Sequence, residues 1–271
     1  MIELLKGSAA HFITIYQPIN PDNTVFTFFT NLFLLNSIKW QGINNVSWNS
    51  PSWSISAEMC SYILYASVTL LLVRNRKNTL QTIIYAIILL SSLLVLLVVT
   101  QTASIVYTYN YGFLRGFIGF FTGVLCCKTY VYTYSFISSR SNIFFSWAET
   151  LVVLLVMISI YFQKQWLQLS IIYELIFFLT ILIFSHERGF ISHYLVQQPV
   201  LRKIALYSYS IYLTHGLINT LFNILFVRIL KFDSSDYSYL FIANYILVFF
   251  VSSWSYHTIE KRFYKRTSAI T

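Results

Sequence analysis

The chain has 271 residues, 57% of them hydrophobic and only 10% charged, with a formal net charge of +9. A soluble domain of this size carries roughly a quarter charged residues, so the composition excludes an ordinary soluble enzyme and indicates an all-α, multi-pass membrane protein. Nucleic acid is excluded as a partner too, because the cations form short clusters between apolar runs rather than one basic patch.

Residues 1–17 are only mildly apolar and lack the small-residue cleavage site of a signal peptide. The apolar run from Val25 to Ile38 reaches only about 21 Å as a helix, short of a ~30 Å hydrocarbon core. It reads as an N-terminal interfacial or re-entrant helix carrying Phe26, Phe28, Phe29 and Phe33. Seven later segments are long and apolar enough to span: roughly 52–73, 79–99, 110–128, 142–162, 168–185, 204–230 and 239–260. No internal repeat or Pro/Gly linker divides them, so residues 1–271 read as a single membrane domain. Cys60, Cys126 and Cys127 all lie in apolar segments without metal-ligand spacing, which assigns them to packing and predicts no metal.

Orientation follows from the Lys and Arg of alternate connections. One set holds Arg74, Arg76 and Lys77; Lys128 and Arg140; Arg188, Arg202 and Lys203; and Lys261, Arg262, Lys265 and Arg266. The opposite set holds only Lys39, Lys164, Arg228 and Lys231; Lys6 and Arg115 stand outside both. The positive-inside rule therefore puts the C-terminus in the cytoplasm and the turn before Trp53 outside, in a cell (inner) membrane.

Polar residues inside these spans are costly and need a partner or a function. In "WNSPSWSISAEMCSYILYA" Ser52 is a plausible N-cap, and Glu58 sits too far along to complete a capping box with either Ser52 or Ser54. Helical spacing puts Ser54, Glu58, Tyr62 and Tyr65 on one face, either lining an outer polar cavity or making an interhelical bond. Arg115 follows the start of a helix with Gly112, Gly116, Gly119 and Gly123, two small-xxx-small pairs that favour close packing and turn the guanidinium toward neighbouring helices; the alternative is a snorkelling cation. Ser208, Tyr212, His215, Asn219 and Asn223 form another polar stripe, in which His215 is either functional or a satisfied core residue. Glu149 and Glu174 lack such a face and read as interhelical partners. His257 and Glu260 are too few for a metal site.

These stretches resemble the acyltransferase-3 family of integral membrane O-acyltransferases. "NSPSWSISAEMCSYILYA" is similar to its tryptophan-serine-x-serine-x-glutamate signature, and "GFLRGFIGFFTGVL" to its glycine-rich Arg helix. "LYSYSIYLTHGLI" is similar to its "SYSxYLxH" helix, and "IEKRFYKR" to its closing "IE-x-x-F" end. The four occur in family order. The resemblance implies transfer of an acyl group, acetyl or succinyl, from cytoplasmic acyl-CoA to a hydroxyl of an extracytoplasmic surface glycan, with acyl-CoA as co-substrate and no bound cofactor. It implies that Glu58 supports a catalytic histidine, that Arg115 stabilises negative charge or positions the donor, and that His215 with Tyr212 either binds polar substrate groups or is structural. Trp53, Ser54, Ser56, Tyr62, Ser208, Tyr212 and Asn219 follow as substrate contacts. Arg74, Arg76, Lys77, Arg202 and Lys203 are candidates for the donor phosphates, with topology determination as the alternative. The family has ten spans and an arginine–histidine motif in the first. His11 has no upstream arginine, so the sequence reads as a fragment lacking the N-terminal helices. A transporter or flippase of lipid-linked sugars and a non-catalytic membrane remnant are the competing readings, the former predicting broken helices in two matching halves.

Overall fold

The computed structural model describes residues 21–48, 51–73, 78–137, 139–232 and 239–263. His11, Arg74, Arg76, Lys77, Lys265 and Arg266 lie outside the described residues, as does the segment 1–17. Ten α-helices occur among the described residues, and the nearest approach to a strand is an isolated bridge between Ile38 and Tyr111. They are α1 (Val25–Leu32), α2 (Ser52–Val73), α3 (Asn78–Thr100), α4 (Gly112–Ile137), α5 (Asn142–Tyr161), α6 (Ile172–Phe184), α7 (Phe190–Gln197), α8 (Pro199–Leu206), α9 (Ser208–Asn223) and α10 (Phe241–Ser255). Four, α2 to α5, are long and apolar enough to cross a membrane.

The described residues form two compact units, Thr24–Gln198 and a second from Pro199 onward. In the first, α2 and α3 both pack on α4, and α6 joins α4 to α5. In the second, α9 packs on α10.

The element ends have local causes. Thr24 starts α1 by a capping box with Thr27, and the helix stops at Phe33, followed by Leu34 at a φ of 56°. The apolar run thus yields a helix of 8 residues, shorter than the run itself. Ser52 does not cap α2 but is its first helical residue; its hydroxyl accepts from Asn36 Nδ2 (2.7 Å) and donates to Asn31 Oδ1 (2.8 Å). Beyond the expected end at 128, α4 continues to Ile137, with Thr129 and Thr133 returning their hydroxyls to Leu125 and Thr129 carbonyls. The expected span 168–185 begins helical only at Ile172. Ser170 Oγ accepts from Ile105 N–H (2.8 Å) and Ile171 N–H donates to Ala103 O, so this backbone is tied to the preceding loop after a single 3₁₀ turn at Leu167–Leu169.

The expected helix 204–230 is three pieces: α8, a break at Tyr207, and α9 running on into a π-turn at Ile224–Ile229. The Tyr207 side chain is buried there against Phe249, Tyr256 and His257. α10 likewise widens into a π-turn at Tyr256–Glu260. Of the cysteines expected to pack, Cys126 is buried, Cys60 is half-buried and Cys127 is exposed.

Candidate functional site

The α2–α4 crossing positions the charged residues. Here the glycines act singly rather than as two pairs. A Cβ on Gly116 would lie 2.9 Å from Ala57 Cβ and 3.0 Å from Ala57 O, so only glycine lets the two backbones meet. A Cβ on Gly112 would press on the Trp53 ring (3.1 Å) and on Ser37 (3.3 Å). Gly119 leaves room for the carboxylate of Glu174, and Gly123 faces open space, which corrects the expectation of a second close pair.

With the backbones this close, the Arg115 guanidinium lies over the Trp53 ring, Cζ to centroid 5.0 Å. The cation therefore points across to α2, as the close packing predicted. It also feels the Glu174 carboxylate, which belongs to the first turn of α6 and faces α4 one turn beyond Arg115. Glu58, next to the crossing residue Ala57, is exposed and accepts a hydrogen bond from the Tyr62 hydroxyl. Tyr62 and Tyr65 both lie edge-on to Phe120 of α4, and Tyr65 stacks on Tyr85 of α3. The predicted Glu58–Tyr62–Tyr65 face thus exists and is largely aromatic.

The serines of the signature divide. Ser54 Oγ donates to the carbonyl of Pro51 (3.1 Å) at the start of the helix. Ser56 is fully buried; it accepts from Ser37 N–H (3.0 Å) and donates to Ser37 Oγ (2.8 Å). Together with Ser52 it staples the segment 36–37 to α2 and so holds that loop against the start of α4, where Phe113 N–H donates to Ser37 O. Sequence reasoning grouped Ser56 with Ser54 as a substrate contact. Both of its described bonds go to Ser37, which ties it to the loop at 36–37.

In the second unit, His215 is half-buried and its Nδ1 lies 2.5 Å from the Tyr212 carbonyl one turn back, with the Tyr212 ring beside it. Asn219 does not present its carbonyl to a cavity; Oδ1 accepts from Asn244 Nδ2 of α10 (2.8 Å). Ser208 is exposed, as are Arg202 and Lys203 on α8. The polar face that joins α9 to α10 is a different one, missed in the sequence: Ser210 donates to Glu260 Oε2 (2.8 Å), Thr214 pairs with Ser252 (2.8 Å), and Tyr207 meets His257 (3.3 Å). His257 and Glu260 are therefore spent on interhelical bonds. The signal was present, since Ser210, Thr214 and Tyr207 also recur at helical spacing.

Glu149, expected to be an interhelical partner, is one. It is wholly buried in α5, and its carboxylate accepts from the N–H groups of Gly189 (3.1 Å), Ile191 (2.9 Å) and Ser192 (3.0 Å), and from Ser192 Oγ (2.5 Å). It caps the N-terminus of α7 from another helix, where the backbone donors and the macrodipole both favour an anion. Any Cβ on Gly189 would overlap that carboxylate. Glycine there is a packing requirement.

The family model described as an acyltransferase domain matches residues 10–257, most of the chain and both compact units. No curated protein and no solved structure matches the chain.

Proposed function

The chain belongs to the acyltransferase-3 family, and from that premise we propose that it takes part in moving an acyl group, acetyl or succinyl, from cytoplasmic acyl-CoA to a hydroxyl of an extracytoplasmic polysaccharide. The observation that carries this reading is Arg115, held by glycine packing over Trp53 and beside Glu174, with Glu58 exposed on the adjoining face. A guanidinium fixed by an aromatic ring and a carboxylate is preorganised to meet negative charge developing on an acyl carbonyl. Glu58, with its Tyr62 partner, serves to orient and stabilise an imidazolium formed when a histidine takes the acceptor's proton. His215 and Tyr212, with the exposed Ser208, bind polar groups of donor or acceptor. Ser56 and Asn219 hold the frame, and Trp53 is the platform of the arginine.

In this reading the protein crosses the bilayer seven times with its C-terminus in the cytoplasm. Beyond the four long helices, the 13 residues of α6 reach only about 20 Å, and the 3₁₀ turn Leu167–Leu169 with the two residues after it brings that passage nearer the hydrocarbon thickness. α9 with its π-turn, and α10 with its own, each continue far enough to approach the ~30 Å of a hydrocarbon core.

The test is transfer of label from acetyl-CoA to surface polysaccharide by membranes holding the chain, alone and together with whatever the DNA preceding Met1 encodes in frame. Transfer that disappears in Arg115→Gln at an unchanged membrane level supports the reading. Absence of transfer in both settings leaves a non-catalytic membrane partner.

A further inference from the structure

At the far end of α4 from Arg115, the last turns of α4 and α6 and the first turns of α5 line a half-open cavity of about 430 Å³. Its walls are apolar, with Phe136, Phe144, Phe145 and Ile183 among them, and two polar side chains reach it, Arg140 and His186. The volume falls in the range of small-molecule sites, and a mainly apolar pocket with a few convergent polar groups is their usual form.

His186 is the anomaly. It is 8% exposed, and among the described residues neither Nδ1 nor Nε2 has a hydrogen-bond partner. Buried polar atoms are nearly always paired, so two orphans on one ring call for an explanation. The ring is wedged between Tyr130 (4.9 Å), Tyr134 (6.0 Å, stacked) and Phe145 (5.1 Å), none of which satisfies it. The contrast with Glu149, whose carboxylate in the same α5–α7 region takes four donors, shows that this part of the fold does supply partners where it needs them. Burial holds the imidazole below its usual pKa, and the Arg188 guanidinium pushes the same way, so at neutral pH the ring is uncharged. A neutral imidazole offers one donor and one acceptor on divergent edges of the ring, so two different groups must meet them. A nucleoside offers such groups at two separate points, base nitrogens and ribose hydroxyls, whereas a fatty acyl chain would fill the space and leave both nitrogens unpaired.

The rim supplies charge. The Arg140 guanidinium lies over the Phe136 ring at 5.0 Å on an exposed stretch between α4 and α5. Arg188 lies over Phe145 at 5.1 Å and is fixed by Asn142 Oδ1, which accepts from its Nε (3.1 Å) and Nη2 (2.8 Å). Both belong to the cation-rich set of connections.

We propose that this cavity receives the nucleotide end of the acyl-CoA donor, its adenosine among the phenylalanines and hydrogen-bonded to His186, its phosphate meeting Arg140. The proposal rests on the acyltransferase reading and deepens it: it gives the donor a docking place at the opposite end of α4 from Arg115. It moves the phosphate contact from the clusters expected in the sequence to Arg140.

The experiment uses the full chain in lipid nanodiscs and adenosine 3′,5′-bisphosphate as the probe. Calorimetric titration should show saturable binding that weakens at least tenfold in Arg140→Gln and in His186→Phe. The second variant keeps an aromatic ring among Tyr130, Tyr134 and Phe145, so its unliganded melting temperature should hold or rise, separating lost recognition from lost folding. Unchanged affinity in both variants overturns the proposal. So does native mass spectrometry showing phosphatidylglycerol retained through Arg140 and His186 while the bisphosphate fails to bind, since that marks a lipid site. A thioester without a nucleotide, S-acetyl-N-acetylcysteamine, separates the two readings. If it is used as donor while the bisphosphate does not bind, the acyltransferase reading stands and the nucleotide site falls. If the bisphosphate binds through both residues but no donor is used, the site stands and the acyltransferase reading falls.

Discussion

Two acidic residues inside apolar helices, Glu149 and Glu58, were met in the sequence as the same problem, and the structure solves them in opposite ways. Glu149 is closed off: four donors reach its carboxylate and no surface remains. Glu58 is exposed and meets the hydroxyl of Tyr62 one turn on. The first carboxylate ties one helix end to another. The second keeps capacity for a partner from elsewhere. In a membrane protein, where each buried charge is expensive, the degree to which its bonds are already made distinguishes scaffold from chemistry better than its position in a span.

The sharpest way to break that comparison is Glu149→Gln. The amide keeps the shape but turns an NH₂ toward N–H groups of α7, leaving buried donors facing a donor. Each buried donor left facing another donor costs about 1–3 kcal/mol, and more where the lost acceptor was charged. Folded protein recovered from membranes should fall sharply, and Gly189→Ala should do the same by overlapping the carboxylate. Wild-type yields and melting for both would mean the cap is dispensable, and Glu149 would return to the pool of functional candidates.

Ser56→Ala comes next. It leaves the buried Ser37 N–H without its acceptor, at a cost of roughly 1–3 kcal/mol. Activity lost only in proportion to folded protein fits a supporting role. If KM for the acceptor rises with melting unchanged, Ser56 touches substrate after all.

How much of this was legible is set by what periodicity encodes. Helix existence in the long spans was readable, because the apolar content of α2 to α5 leaves little else for the chain to do. The i, i+4 relation of Glu58 and Tyr62 was readable for the same reason. What failed were features decided by a second segment far along the chain. Ser170 bonding back to Ile105 shortened α6, and a break at Tyr207 divided a stretch that hydropathy alone reads as continuous. Nothing near Glu149 in sequence announces Gly189, forty residues away, as its seat. Nor does the stripe containing His215 and Asn219 reveal that Ser210 and Thr214, on the neighbouring face, carry the bonds to α10.

A smaller effect is expected from pH. His186 has a folded-state pKa below that of the unfolded chain, so on acidification the unfolded chain takes up its proton first. Burying the neutral ring therefore costs no proton above the ordinary imidazole value of about 6.5 and destabilises the fold progressively below it. The melting temperature of the wild type should therefore drop between pH 7 and 5 by more than that of His186→Phe. Parallel curves for the two proteins would show that the ring is not buried uncharged.

The smallest expected change in stability, and the one on which the comparison finally turns, is Glu58→Gln. An exposed carboxylate whose described partner is a tyrosine on its own helix contributes little to folding, so the melting temperature should move by an amount corresponding to less than about 0.5 kcal/mol. Acyl transfer should nevertheless fall by about 10²-fold, because the amide has no charge with which to stabilise an imidazolium. The pairing of the two measurements matters more than either. Transfer and stability falling together would make Glu58 another Glu149, a tie whose partner lies outside the described residues. Transfer unchanged at full stability would remove Glu58 from the mechanism and pass its role to Glu174, the carboxylate that already faces α4 beside Arg115.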